Sequence, residues 1–63
     1  MNKKLKARIV ELYGTQADFA EKIQKDESLV SRVIRGRKIL SADERKRWSA
    51  MLRSTSEELF LSE

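Results

Sequence analysis

The chain has no cysteine, no histidine, no proline and only two glycines in 63 residues. Without cysteine there is no disulfide to brace so short a chain. The thiolate and imidazole ligands of the common zinc sites are also missing. A nucleophilic serine would have no histidine to activate it, and so small a domain has little room for a pocket. No enzymatic activity, metal, cofactor or small-molecule ligand is therefore expected. The lack of cysteine agrees with a reducing cytoplasm. No apolar run approaches the ~20 residues that span a bilayer. The basic start Asn2–Lys6 is not followed by the apolar segment of a signal peptide, so a cytoplasmic location is expected. Alternating apolar runs between turn residues, the mark of strands, do not occur. The expectation is one all-α domain over residues 1–63. A chain this size buries roughly 60% of its unfolded surface, so its stability should be modest.

What is abundant is charge. Lysine and arginine number 14 against 10 acids, for a net charge of +4. That balance suits a polyanionic partner. The distribution is more telling than the sum. Arg32, Arg35, Arg37 and Lys38 fall close together with no acid among them, whereas Asp18, Glu21, Asp26 and Glu27 cluster just upstream.

Apolar spacing predicts five short helices. The first spans about Lys3–Tyr13, with Asn2 as N-cap and Leu5, Ile9, Leu12 and Tyr13 facing inward. Gly14 and Gly36 stand where helical patterns stop, as C-cap glycines do. Thr15–Asp18 resembles a capping box with Asp in place of Glu, and opens a second helix that buries Phe19, Ala20 and Ile23. A third helix, about Glu27–Arg35, has Asp26 as its N-cap candidate. Ser41–Glu44 is a full capping box for a fourth helix, about Ala42–Leu52, with Trp48, Met51 and Leu52 on its apolar side. Thr55–Glu58 is another, opening a last short helix with Leu59 and Phe60 inward. Arg45, Lys46 and Arg47 form a second basic run within reach of Asp43 and Glu44. They read best as a solvated face, as do Lys3, Lys4, Lys6 and Arg8.

The third helix is the most informative segment. Val30, Val33 and Ile34 recur at i, i+3, i+4 and define a buried stripe. The opposite face carries Ser28, Ser31, Arg32 and Arg35. Hydroxyls and guanidinium groups on an exposed helix face can read base edges and grip phosphates. The plainer alternative is a solvated polar face.

Gln16 to Gly36 resembles the helix-turn-helix of the phage-repressor/Cro family, often called the XRE family. The likeness rests on Gln16, Phe19, Ala20, Ile23, Val30, Val33 and Gly36 as a spaced set. The flanking helices and the Glu57–Phe60 segment extend it over nearly the whole chain. It implies a lambda-repressor-like bundle of five short helices. It departs from the family at Gln24, where glycine is usual, and at Lys25, where an apolar residue is common. A Gln at positive φ costs of order 1 kcal/mol, so this turn is where the motif is strained.

The resemblance implies a sequence-specific DNA-binding transcriptional regulator, of the repressor kind found in bacteria and prophages, acting on double-stranded DNA in the nucleoid. Carried over by position, the base-contacting residues are Glu27, Ser28, Ser31 and Arg32, and the phosphate-contacting residues are Gln16, Arg35, Arg37 and Lys38. Arg32 suits guanine O6 and N7, and Glu27 suits cytosine N4. The alternatives are an antitoxin-type accessory regulator, or a helical protein-interaction module that has lost DNA binding, which Asp26 and Glu27 would favour. Leu61, with part of the fourth helix, is expected at a weak contact between two copies that forms mainly on DNA.

Overall fold

The computed structural model describes residues 1–61, with side chains through Phe60. The chain forms four α-helices, α1 (Lys3–Tyr13), α2 (Gln16–Ile23), α3 (Glu27–Ile34) and α4 (Ala42–Met51), then a closing π-helical turn (Glu57–Leu61). No strand occurs among the described residues. The all-α expectation therefore holds, and each helix starts where its capping pattern indicates. Arg35 and Leu52, expected as the last helical residues of α3 and α4, are instead their C-caps. The Leu61 side chain, expected at a contact between copies, lies outside the described residues.

Side-chain caps account for most of the starts. The Asn2 carboxamide oxygen accepts from the Leu5 amide at 3.0 Å. Thr15 Oγ1 accepts from the Asp18 amide at 3.0 Å, while the Asp18 carboxylate, a methylene shorter than Glu, makes no return bond to the Thr15 amide. Ser41 and Glu44 close a complete capping box, and Thr55 and Glu58 exchange the same pair of bonds. Glu44 is thus committed to its cap and makes none of the expected ion pairs with the basic run on α4. Asp26 holds the N-cap position of α3, but its side chain makes no capping bond. The Leu29 amide that it would accept from already donates to the Asp26 carbonyl at 3.1 Å. Asp26 contributes only its charge at the positive end of the helix.

The core is built around Phe19. Its ring lies 5.2 Å from Tyr13 and meets Trp48 edge-on at 5.3 Å, the arrangement that aromatic quadrupoles favour. Leu5, Ile9, Ala20, Ile23, Val30, Val33, Ile34, Leu52 and Leu59 complete it, with Leu40 from the α3–α4 loop. α2 packs most extensively on α3 and then on α1.

Two residues of α1 do more than the sequence indicated. Arg8 is not a solvated cation. Its Nε donates to the Leu52 carbonyl at 2.7 Å and its Nη2 to the Arg53 carbonyl at 3.2 Å. Tyr13 donates its hydroxyl to the Met51 carbonyl at 2.9 Å. The orphan carbonyls at the end of α4 are therefore satisfied from α1.

Asn2 is buried, at 6% exposure, and every polar group it carries is used. Besides capping α1, its backbone amide donates to the Ile34 carbonyl at the end of α3 at 2.6 Å. Its carboxamide nitrogen donates to the Leu59 carbonyl in the closing turn. Replacing it with alanine loses a cap, worth about 0.5–2 kcal/mol, and leaves a buried carbonyl without a donor, worth about 1–3 kcal/mol. Asn2→Ala should therefore lower stability by roughly 2–4 kcal/mol in urea titration. Asn2→Asp keeps the cap but not the donor, and its stability should fall between those of the parent and Asn2→Ala. An Asn2→Asp variant as stable as the parent would show that the bond to Leu59 contributes nothing.

Candidate nucleic-acid interface

The geometry of α3 follows from its two ends. The turn before it is a Schellman termination of α2. The Lys25 amide donates to the Ala20 carbonyl at 2.9 Å and the Gln24 amide to the Glu21 carbonyl at 3.1 Å. Gln24 sits at φ 61°, ψ 44°, in the left-handed region. The positive φ expected at this departure is what the turn requires, and Gln supplies it at a cost that glycine would avoid. At the far end, Gly36 has φ 81°. There the Arg37 amide donates to the Arg32 carbonyl at 2.9 Å and the Gly36 amide to the Val33 carbonyl at 3.1 Å. This is the same device, built with glycine.

Between these ends Val30, Val33 and Ile34 are buried. The opposite face is open, with Glu27, Ser28 and Arg32 exposed and Ser31 half-buried. A shallow cleft of about 600 Å³ borders this face and the start of α2. Five of the eight sequence-derived site residues line it: Gln16, Glu27, Ser28, Ser31 and Arg35. Residues from two helices therefore share one surface, which helical spacing alone does not show.

The other three lie beside the cleft. Arg32 folds back along α3, its Nε donating to the Ser28 carbonyl at 3.3 Å. Arg37 is exposed just after Gly36. Lys38 is turned toward α4 and lines a smaller hollow with Arg45, Ile39 and Phe60. Thr15, Lys6 and Val10 also border the main cleft. Sequence reasoning gave Lys6 to solvent, because nothing local indicates that α1 runs past the start of α2. Thr15 was the one legible addition, since an N-cap hydroxyl always flanks the first helical residue.

The cationic side chains of this surface are not tied up in ion pairs, and Glu27 is the acid that lines the cleft with Arg35. Among the described residues Arg32, Arg35, Arg37 and Lys38 form no ion pair, and the Arg8–Glu11 pair at 3.0 Å lies on α1. No cluster of metal-ligating side chains occurs among the described residues, and no helix of the described residues is long and apolar enough to cross a membrane. No family model, curated protein or solved structure matches the chain. Residue chemistry and geometry therefore carry the functional reading.

The turn geometry gives a direct test. Gln24→Gly relieves a left-handed strain of about 1 kcal/mol and adds a similar unfolded-state entropy cost. It should be neutral or mildly stabilising in thermal denaturation. Gln24→Val, β-branched at the same φ, should destabilise by more than ~1 kcal/mol. A loss of about 1 kcal/mol from Gln24→Gly would mean that Gln24 is helical instead.

Proposed function

We propose that the chain is a sequence-specific DNA-binding regulator of the helix-turn-helix kind, with α3 as its recognition helix. The observation that carries this reading is the shared cleft, where a hydroxyl-bearing helix face and the amino end of α2 meet beside Arg35. An α-helix with its side chains is about 10–12 Å across, and the major groove is about 12 Å wide, so α3 fits it. Ser28, Ser31, Glu27 and Arg32 face base edges in this reading. Gln16, Arg35, Arg37 and Lys38 hold phosphates, and the α2 dipole adds partial positive charge at Gln16.

The action that follows is occupation of an operator, in the manner of a repressor. A single α3 reads too few base pairs to mark one genomic site. Two copies on half-sites about one helical turn apart would supply the rest. A protein-interaction module is the second reading. It is favoured by the exposed Asp26 and Glu27 at the start of α3, which repel phosphate. Selection of bound duplexes from a random pool separates the two: an enriched motif supports DNA reading, and its absence supports the module.

On the selected duplex, Arg32→Ala should cost ~1–3 kcal/mol and relax preference at one base pair. Equal weakening on selected and random duplexes would remove Arg32 from base readout. Arg37→Ala should weaken both duplexes alike and reduce the salt slope of binding by about one. An unchanged slope would take Arg37 off the phosphate.

A further inference from the structure

The outer face of α1 is unlike the other exposed helix faces. Three large apolar side chains are well exposed among the described residues: Met1 at 66%, Val10 at 48% and Ile39 at 82%. Ile39 lies apart from them in the α3–α4 loop, at the hollow beside Phe60. Met1 and Val10 instead border one open depression together with Ala7, Lys3, Lys6 and Glu11. At 100° per residue Ala7 lies opposite the buried Leu5 and Ile9, at the middle of this face.

Charge runs in one direction along it. Lys3, Lys4 and Lys6 occupy the first half of α1, and Glu11 occupies the last turn. A second α1 laid parallel would set lysines against lysines. Laid antiparallel, with Ala7 facing Ala7, it sets Lys3 of each copy against Glu11 of the other and Val10 against the stem of Lys4. The methyl of Ala7 permits close approach at the centre.

We propose that this face pairs with the same face of a second copy, the two α1 helices antiparallel about a twofold axis at Ala7. Glu11 uses Oε1 for Arg8 at 3.0 Å, which leaves Oε2 for Lys3 of the other copy. The contact is small. An 11-residue helix is about 16 Å long, and such a pair buries far less than the ~800 Å² per partner of a standard interface. Association is therefore weak in dilute solution and strengthens when two copies are held close. Met1, Lys6 and Val10 border both this face and the cleft on α3, so the two surfaces adjoin.

The chain has no cysteine, so Ala7→Cys introduces its sole thiol. In paired helices whose axes are about 8–10 Å apart, two facing Cα atoms come within about 4–5 Å, inside disulfide range. Under mild oxidation without DNA, Ala7→Cys should form a linked dimer on the order of ten-fold faster than Ala17→Cys or Ala50→Cys, which are exposed on α2 and α4. Adding Glu11→Lys to Ala7→Cys should slow linkage to the control rate, and adding Lys3→Glu to that pair should restore it. Equal rates at positions 7, 17 and 50 would overturn the proposal. Fast linkage at position 7 that ignores both charge changes would overturn the antiparallel register, and the proposal with it.

Discussion

The buried carboxamide of Asn2 is the constraint on which the rest of the arrangement depends. Through its side chain and its backbone amide it caps α1, ties down the last carbonyl of α3 and holds the closing turn at Leu59. A domain this small has a thin core and, without cysteine, no disulfide with which to join its ends. A buried polar group is costly unless every hydrogen-bonding position is used. At Asn2 each polar group has a partner, and the partners come from three separate elements. The consequence reaches the candidate interface. α3 is held at its carboxyl end by Asn2 and at its amino end by the left-handed turn at Gln24, so its outer face projects from a fixed frame.

The second organising theme is how helices end. α2, α3 and α4 all finish in the same 6→1 and 5→2 bond pattern, with Gln24, Gly36 and Arg53 at the left-handed position. Only one of these is glycine. The two strained residues sit where tertiary bonds or packing hold the turn. The Arg53 carbonyl accepts from Arg8, and Gln24 closes the helix that packs most closely on α3. Strain of about 1 kcal/mol at each is tolerable only because surrounding contacts over-determine the backbone.

Much of the fold was legible because its signals are local. Capping residues and the 3.6-residue apolar period put α1, α2 and the starts of α3 and α4 where the structure has them. The aromatic core around Phe19 and Trp48 followed from the same stripes. What escaped was non-local. Asn2 meets Leu59 across nearly the whole chain, and Arg8 meets Leu52 across most of it. No spacing rule encodes such pairs, so Arg8 read as solvated. Asp26 was misjudged for a different reason: the competing Leu29 bond to its own carbonyl depends on how tightly the first turn winds. Of the candidate interface, the face of α3 was readable from periodicity. Its union with Gln16 in one cleft depends on the α2–α3 crossing, which sequence implied only through the family resemblance.

If the frame fixed by Asn2 and Gln24 exists to present α3 to duplex DNA, binding must be felt along that face and not elsewhere. Backbone amide chemical shifts, followed as a selected duplex is added, test this residue by residue. The expected result is perturbation centred on Gln16, Ser28, Ser31, Arg32 and Gly36 to Lys38, diminishing as salt is raised. Shifts centred on the Arg45–Arg47 run of α4, with α3 unmoved, would contradict it.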